Sequence, residues 1–297
     1  MDESTDQAWV REHPREVLKR HGVWARRGLG QNFLASVRDL ERVAGAADLR
    51  GDDVVLEIGT GLGRLTALLA ARARQVVSVE IDDRLHAIAA GNLADYANVE
   101  LLRCDALESK HRINPAVTAA VRGALEETEG RFKVVSNLPY RISSPAVVNM
   151  LEWELQPVEL YLMLQDEVAA RMTAEPGTGE YGPLTVYVDY WATVERLFTL
   201  GSHAFWPAPE VNSAFLRLAR RPERRQTEDY AAFAELVRRL FTSRRKTLRK
   251  ALKLAMGGLP VDRLIGQTGL SGKTRVEKLS VADFEQLNEM LKREVNP

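Results

Sequence analysis

A short turn, Asn137-Leu138-Pro139-Tyr140, is the part of the sequence best equipped for chemistry. It follows the apolar stretch at 132–135, so the asparagine lies where a buried strand would end, and ligands bind at such strand ends in open α/β sheets. The Asn137 amide oxygen and a backbone carbonyl of the turn can each accept one N–H of an amino group. Tyr140 can stack on a flat ring. The turn therefore predicts a site for a planar group with an amino nitrogen, although such turns often only reverse the chain.

A glycine-rich turn, Gly59-Thr60-Gly61-Leu62-Gly63, is the second candidate for a binding site. It follows a predicted buried strand at 54–58 and precedes an apolar helix that contains Leu65, Leu68 and Leu69. Glycines let the backbone approach a ligand closely, and the N-terminus of the helix adds N–H donors. The order of strand, glycine turn and helix predicts a cradle for a nucleotide-like ligand.

Acidic side chains end the next two predicted strands. Glu80 ends the strand at 76–80, where a carboxylate can accept both ribose hydroxyls of a nucleoside. Asp105 follows the strand at 99–103 and could accept a hydrogen bond from an adenine amino group. Together with Asn137, three polar side chains fall at the ends of successive strands. We therefore expect all three in one binding site.

Composition bounds the kind of protein that these elements build. The chain has 297 residues, of which 45% are hydrophobic, enough for a sizeable core in one large or two modest domains. The 41 Lys and Arg balance the 41 Asp and Glu, but residues 31–220 carry 18 against 26 and residues 221–297 carry 17 against 10. An acidic body with a basic tail suggests a polyanionic partner held by the tail, although a basic helical face is most often merely solvated.

Cysteine usage and hydropathy indicate the compartment. The single cysteine, Cys104, excludes an internal disulfide and fits a reducing environment. No apolar run reaches membrane-spanning length, and the charged N-terminus lacks a signal-peptide core. The five histidines lack metal-ligand spacing. We therefore expect a cytoplasmic protein with no membrane contact and no metal site, in which Cys104 is a small core residue.

The motifs fall into three predicted segments, namely an N-terminal extension at 1–30, an α/β body at 31–220 and a helical segment at 221–297. The extension is charged, and we expect it to wrap the surface with short helices only. Ser36 is placed to cap the next helix with its hydroxyl. Residues 108–131 are polar with a helical patch, and they are interpreted as a surface insertion of unassigned function.

A closing hairpin is predicted from the strand patterns at 194–200 and 211–218. Between them Phe205 and Trp206 lie in a loop that prolines fix. Adjacent aromatics there are candidates to contact an extruded base, with Phe205 preferred and Trp206 equally suited to packing. For the segment that begins at Tyr181, the sequence pattern does not distinguish helix from strand.

Six cations in ten residues mark the segment 244–253. Spacings of four on a helix would bring Arg245 near Arg249 and Lys246 near Lys250. Such a ridge suits the phosphates of a nucleic acid. The cations expected to bind them are Arg244, Arg245, Lys246, Arg249 and Lys250.

Taken together, these motifs resemble those of the ribosomal RNA adenine N6,N6-dimethyltransferases, the family of the small-subunit dimethyladenosine transferase. The match runs in order along nearly the whole chain: Gly30-Gln31-Asn32-Phe33-Leu34, Glu57-Ile58-Gly59-x-Gly61-x-Gly63-x-Leu65-Thr66, Glu80-Ile81-Asp82, Asp105-Ala106, Asn137-Leu138-Pro139-Tyr140, Gln165-x-Glu167-Val168-Ala169, Tyr181-Gly182, Phe205-x-Pro207-x-Pro209-x-Val211 and Arg244-Arg245-Lys246-Thr247-Leu248. Departures occur at Thr60, where the family usually has proline, at Ser136, where alanine is common, and at Pro183, where a basic residue is common. Pro183 and the long 108–131 segment bear on substrate docking.

The resemblance implies a class I S-adenosylmethionine-dependent methyltransferase, with a Rossmann-like seven-stranded sheet whose last strand is antiparallel, and a small C-terminal α-helical domain that binds RNA. It also implies that Glu80 holds the ribose of the cofactor and Asp105 the adenine. The residues expected at S-adenosylmethionine are Gln31, Asn32, Leu34, Gly59, Gly61, Glu80, Ile81, Asp105, Ala106 and Asn137. The residues expected at the reacting base are Asn137, Leu138, Pro139, Tyr140 and Phe205.

The implied reaction transfers methyl groups to N6 of two adjacent adenines in the 3′-terminal hairpin loop of small-subunit (16S) rRNA. The resemblance further implies a monomeric enzyme that binds the rRNA in a pre-ribosomal particle. Because the methyl donor is already activated, orientation by Asn137 and stacking by Tyr140 and Phe205 would replace a strong general base.

Three alternatives compete with this interpretation. A large-subunit (23S) rRNA methyltransferase of the macrolide-resistance type shares many motifs, but the block that begins at Arg244 favours the small-subunit enzyme. A non-catalytic RNA-binding assembly factor would not need Glu80, Asp105, Asn137 and Tyr140 together. A nicotinamide-dependent oxidoreductase leaves the Asn137 turn and the basic tail unexplained.

Overall fold

The computed structural model describes residues 8–224, 228–257 and 259–295. These residues form two compact units. The first holds the described chain through Ala169 together with Glu195–Arg220, and the second holds Ala170–Val194 and the described chain from Arg221 onward. Residues 170–194 thus pack with the C-terminal helices. The three predicted segments remain a proposal, and parts of two of them, residues 1–7, 225–227, 258 and 296–297, lie outside the described residues.

Strands of the described chain form one large sheet and two small ribbons. In chain order they are β1 Phe33–Leu34, β2 Val54–Ile58, β3 Gln75–Glu80, β4 Val99–Arg103, β5 Leu107–Ser109, β6 Arg112–Ile113, β7 Phe132–Asn137, β8 Glu159–Gln165, β9 Ala192–Leu200, β10 Phe205–Trp206 and β11 Ser213–Arg220. The ribbons pair β1 with β10 and β5 with β6.

The large sheet has seven strands in the order β4-β3-β2-β7-β8-β11-β9. The pairs from β4 through β8 are parallel, and β11, the last strand in the chain, runs antiparallel to β8 with Leu216 opposite Leu162. All five residues of β2 are buried, Glu57 included, because a parallel strand in the middle of the sheet is covered on both faces. The predicted sheet with its antiparallel last strand is confirmed.

Helices of the described residues alternate with the strands and then form the C-terminal unit. They are α1 Ala8–Arg11, α2 Pro14–Arg20, α3 Val37–Ala46, α4 Arg64–Ala70, α5 Asp83–Asn92, α6 Pro115–Glu126, α7 Ser143–Glu152, α8 Asp166–Met172, α9 Pro183–Trp191, α10 Glu228–Phe241, α11 Leu248–Ala255, α12 Val261–Thr268 and α13 Val281–Val295. Within the described parts of the chain, no helix is both long enough and apolar enough to cross a membrane.

The N-terminal segment contains two short helices, as predicted, and they are anchored by buried side chains. Val10 of α1 and both Val17 and Leu18 of α2 are buried. Ser36 stands at the N-cap of α3, but its side chain makes no cap hydrogen bond, so the predicted hydroxyl cap is wrong.

Helix α6 corrects the interpretation of residues 108–131 as a surface insertion. Its side chains Val117, Val121 and Ala124 are fully or nearly fully buried, and the helix packs against β2 and β3. Asn114 caps its start by accepting a hydrogen bond from the Ala116 amide at 2.9 Å. Because its apolar residues recur every three or four positions, the helix covers one face of the sheet.

The second unit is built on aromatic packing. The segment that opens at Tyr181 continues as helix α9, which resolves its helix-or-strand ambiguity. Within this unit Tyr190 of α9 packs on Phe233 of α10 with ring centroids 4.8 Å apart, and the Tyr181 hydroxyl donates to the Leu279 carbonyl at 2.5 Å.

The basic segment is not one continuous helix. Helix α11 begins at Leu248, and its N-cap Thr247 has extended backbone. Arg245 and Lys246 therefore precede the helix, and the predicted pairing of each with a residue four positions on is wrong. The buried side chains of α11 are apolar, so its cations face outward.

Candidate active site

A pocket opens at the carboxyl ends of β2, β3, β4 and β7. Its volume is about 190 Å³. The structure brings to it the following predicted site residues: Gln31, Asn32, Leu34, Gly59, Gly61, Glu80, Ile81, Asp105, Ala106, Asn137, Leu138, Pro139 and Tyr140. These residues come from the segment around β1, from the ends of β2, β3 and β4, and from the turn after β7. They are far apart in the sequence, and the pairing of the strands in the sheet brings them together.

The glycine turn forms one wall because side chains have no room there. Gly59 has φ +91°, and a Cβ on it would lie 3.1 Å from Cδ of Pro139. Gly61 has φ +59°, and its Cβ would lie 3.1 Å from the Phe33 ring. Both positions combine left-handed backbone with close approach, so each favours glycine. The Gly59 amide also donates to the Val79 carbonyl at 2.8 Å, which fixes the turn to β3.

Glu80 links the glycine turn to the end of β3. Its carboxylate accepts the Gly61 amide at 2.8 Å on one oxygen and the Asp82 amide at 2.9 Å on the other. Burial raises the pKa of Glu80. Each carboxylate oxygen has further acceptor capacity, so Glu80 can hold the turn and still accept hydroxyl groups of a ligand.

A buried hydroxyl network lies beneath the turn, and site prediction missed it. Glu57 is 1% exposed and accepts hydrogen bonds from the hydroxyls of Thr66 at 2.5 Å and Ser78 at 2.8 Å. The Ser78 hydroxyl also bonds that of Thr60, at 2.6 Å. Burial raises the pKa of Glu57 to about 8. The available signal was an acid inside an otherwise apolar strand.

Asn137 and Tyr140 are both held in fixed orientations at the pocket. The Asn137 amide nitrogen donates to the Asn32 carbonyl at 2.9 Å, and the amide oxygen remains able to accept hydrogen bonds. The Tyr140 hydroxyl bonds the Ser213 hydroxyl at 2.5 Å. Burial raises the pKa of Tyr140, so its ring is neutral at physiological pH.

Arg64 is a second pocket residue that sequence reasoning missed. It is 4% exposed, and its guanidinium donates to the Val10 carbonyl at 2.7 Å and the Leu34 carbonyl at 2.6 Å. Burial lowers the pKa of Arg64 to about 10, which still leaves it charged at neutral pH. The only signal was a cation at the start of an apolar helix.

Asp105 and Cys104 lie at the end of β4. Asp105 is exposed and accepts the Leu107 amide at 2.9 Å. Cys104 lines the pocket and is half-buried, rather than a core residue. Burial and the neighbouring Asp105 raise the pKa of Cys104, so it is a neutral thiol at neutral pH.

Among the residues predicted at the cofactor or at the reacting base, Phe205 is the one that does not line the pocket. It is 3% exposed and packs in the core, with Leu34 opposite it in the β1 ribbon. Trp206 pairs with Phe33 and packs on another cluster, which includes Val17. Because side chains alternate along a strand, the ribbon sends the two aromatics to opposite sides. Phe205 is therefore buried outside the pocket lining, and its contact with an extruded base stays a prediction.

The predicted phosphate-binding cations lie in the second unit, and they differ in exposure and in ion pairing. Arg245, Lys246 and Lys250 are exposed. Arg244 is held by an ion pair to Glu277 at 3.3 Å. Arg249 pairs with Asp262 at 3.0 Å; both side chains are more than half exposed, and such pairs are weak.

Fold and pocket together define a class I S-adenosylmethionine-dependent methyltransferase. The strand order with its antiparallel last strand, the glycine turn and the Asn-x-Pro-aromatic turn all belong to this class. A family model described as "Ribosomal RNA adenine dimethylase" matches residues 23–293. The chain therefore belongs to the ribosomal RNA adenine dimethylase family, which confirms the predicted enzyme class and its cofactor.

Individual relatives and solved structures are consistent with this family. The chain is 36% identical over 283 residues to "Ribosomal RNA small subunit methyltransferase A" of Bacillus mycoides (strain KBAB4), covering 93% of this chain and 94% of that one. The protein of the same name from Bacillus cereus (strain B4264) matches equally. A crystal structure of a dimethyladenosine transferase from Plasmodium falciparum shares the fold, with TM-score 0.74 and 24% identity over 89% of this chain and 98% of that one. The 23S rRNA methyltransferase ErmE has TM-score 0.62 and 29% identity over 88% of this chain and 99% of that one.

Proposed function

We propose that this enzyme methylates N6 of two adjacent adenines in the 3′-terminal hairpin loop of small-subunit (16S) rRNA. The observation that carries the proposal is the turn at Asn137, which faces the same pocket as the glycine turn and Glu80. The relatives named small subunit methyltransferase A, which match nearly the whole chain, support the choice of subunit.

The pocket residues suit the cofactor. Bound S-adenosylmethionine supplies a methyl group activated by the sulfonium. Glu80 would accept its ribose hydroxyls, because the bonds from Gly61 and Asp82 leave acceptor capacity on the carboxylate. Asp105, exposed at the end of β4, would accept from the adenine amino group. Backbone groups of the glycine turn and of residues 32–34 would surround the methionine part. Gln31, Ile81 and Ala106 complete the wall.

The target amino group would be oriented by two acceptors. Asn137 offers its amide oxygen, since its nitrogen is engaged by the Asn32 carbonyl. The Pro139 carbonyl is taken by the Ile142 amide at 3.1 Å and the Ser143 hydroxyl at 3.3 Å, which makes the Leu138 carbonyl the second acceptor. Two acceptors in fixed positions aim the lone pair of the nitrogen.

Tyr140 would stack on the target base. Its hydroxyl is fixed by Ser213, so the ring is oriented before the base arrives. The family resemblance assigned stacking on the base to both Tyr140 and Phe205. Here we assign it to Tyr140, because Phe205 is buried. After the first transfer, the methylated amine rotates and the second N–H takes the reactive position.

The enzyme acts as a cytoplasmic monomer on a pre-ribosomal particle, and the cations of residues 221–297 hold its rRNA. The net charge of +7 in that segment supports a polyanionic partner. Light scattering of the purified enzyme tests the monomer.

Likeness to ErmE favours one second candidate, methylation of 23S rRNA. Methyl transfer from radiolabelled S-adenosylmethionine to undermethylated small subunits, large subunits and free rRNA separates the two. Dimethyladenosine on small subunits alone is expected. Label on large-subunit RNA would favour the second candidate. Tight cofactor binding with no label on any substrate would favour a non-catalytic assembly factor.

A further inference from the structure

Trp24 is the most exposed large hydrophobic side chain in the described part of the chain, at 70% exposure. Its neighbour Val23 is buried against Val17 and Leu18, and the Val23 amide donates to the Leu18 carbonyl at 2.9 Å. The backbone on one side of the indole is therefore anchored while the indole faces solvent. A large aromatic ring held outward on fixed backbone is typical of a binding surface.

The chain after Trp24 is tied to the wall of the pocket. The Arg26 amide donates to the Gln31 side-chain oxygen at 2.7 Å, and Gln31 lines the pocket. The Gln31 side-chain nitrogen donates to Asp82 at 3.0 Å, and the Arg26 guanidinium lies 3.8 Å from the same carboxylate. Trp24, two residues before Arg26, is thus close in the chain to residues 28–31, which contact the pocket wall at Arg141 and Gln31.

Charge around Trp24 is positive. Residues 8–30 carry six Lys and Arg against two Glu, whereas residues 31–220 are net acidic. Arg15, Lys19 and Arg26 are exposed. The buried carboxylate of Asp82 is neutralised by Arg84, whose hydrogen bond holds the pKa of Asp82 well below its usual range. Across the same segment, exposed Arg141 lines the pocket and donates to the Gly28 carbonyl at 3.4 Å.

We propose that Trp24, Arg15, Lys19, Arg26 and Arg141 form a second RNA-binding surface, here termed the Trp24 surface. It takes the single-stranded nucleotides next to the target adenine: Trp24 stacks on an unpaired neighbouring base, and the cations contact the phosphates. Aromatic rings among cations are the usual means of binding unpaired strands. The inference rests on the proposed function. It places RNA contacts at the pocket itself, in addition to those of the C-terminal cations.

The test compares three variants in titrations with a fluorescein-labelled RNA hairpin that carries the two adjacent adenines in its loop. Trp24→Ala is expected to weaken binding roughly tenfold, within the range for loss of one stacked base. Trp24→Phe keeps a ring and should stay within about threefold of wild type. Val158→Ala is the matched control, because Val158 is 40% exposed and precedes β8, away from the pocket edge, and it should bind like wild type.

Two further measurements complete the test: one checks that the pocket is intact, and the other checks that a cation contacts a phosphate. The affinity of each variant for S-adenosylhomocysteine, measured by calorimetry, should equal that of wild type. Lys19→Gln should lower the slope of log affinity against log salt by about one.

Outcomes that would overturn the inference differ from failure of the proposed function. Unchanged hairpin affinity in Trp24→Ala, with wild type binding and methylating normally, contradicts the inference. A parallel loss of cofactor affinity also contradicts it, because the residue would then support the pocket. If wild type itself neither binds the hairpin nor methylates small subunits, the proposed function fails first.

Discussion

At the residue scale, the site relies on orientation. Asn137 is fixed by Asn32, and Tyr140 by Ser213, so both reach the pocket in fixed positions. No strong base is required of them, because the methyl donor is already activated and a positioned nitrogen lone pair is sufficient. The roles are a proposal, and they can be tested one side chain at a time.

Replacing the first acceptor is the direct test. Asn137→Ala removes the amide oxygen that aims the target nitrogen, and we expect methyl transfer to small subunits to fall by about a hundredfold or more. Single-turnover rates with saturating cofactor and rRNA measure the effect. Circular dichroism and the melting temperature show that the fold is intact. Turnover near the wild-type rate would remove Asn137 from its assigned role.

Glu57 makes stability depend on pH in an unusual direction for an acid. Its pKa is raised by burial from about 4.5 to about 8, so the folded protein holds a proton that the unfolded chain releases. The stability contributed by Glu57 is therefore full below about pH 4.5 and is lost as pH rises toward 8, by up to about 1.4 kcal/mol per pH unit. Glu57→Gln, which has no proton to release, should flatten this decline in urea unfolding between pH 5 and 8. Equal slopes in both proteins would contradict the shifted pKa.

At the element scale, Arg64 connects three pieces of chain that are distant in sequence. It starts α4, and its guanidinium reaches Val10 in α1 and Leu34 in β1. Leu34 lines the pocket, so the arginine positions part of the expected cofactor wall. The buried charge is satisfied by carbonyl oxygens, and among the described residues no carboxylate pairs with it.

Arg64→Met should release both segments, since it removes the donors and keeps a long side chain. We expect a loss of about 2–4 kcal/mol in the free energy of unfolding, from two buried hydrogen bonds to a charged group. Hydrogen exchange should rise at residues 8–11 and 33–35 before other parts of the first unit. Arg64→Lys, which keeps the charge, serves as the matched variant with an intermediate loss. Unaltered exchange in Arg64→Met would show that other contacts hold these segments.

At the scale of the whole molecule, charge is divided between segments. The chain is neutral, yet residues 31–220 sum to −8 and residues 221–297 to +7. The body is thus repelled by a polyanion while the C-terminal segment and residues 8–30 attract it. In the proposed function, the C-terminal cations contact the rRNA backbone and the pocket takes one base.

Double substitution of exposed C-terminal cations tests that division. Arg245→Gln with Lys250→Gln should weaken rRNA binding and lower the salt slope by about two, because two phosphate contacts are lost. Cofactor affinity should not change. Arg74→Gln, an exposed arginine that precedes β3, is the control and should keep the slope. A double variant with the wild-type salt slope would exclude these cations from the interface.

Local sequence pattern predicted the buried strands and the polar groups at their ends, whereas the seven-stranded sheet was implied by the family resemblance. Most residues of predicted strands such as 54–58 are apolar, and Glu80, Asp105 and Asn137 lie at a strand end or within two residues of one, so local pattern predicts where each lies. Parallel strands then bring the three ends to one edge of the sheet. The turn at Gly59 and Gly61 was also predictable from the sequence, because glycine is the residue that most readily adopts the left-handed backbone of such a turn.

The directions in which several side chains face depend on contacts between distant segments, which the sequence pattern does not show. Phe205 turns into the core and Trp206 away from it because β10 pairs with β1, 171 residues earlier at Leu34. Helix α6 covers the sheet instead of standing on the surface, since β2 and β3 offer an apolar face that its own sequence does not reveal. The partners of Arg64 are distant carbonyls, which carry no side-chain signal at all. Local sequence pattern predicts whether a segment is a helix or a strand, but contacts between distant segments determine which residues it packs against.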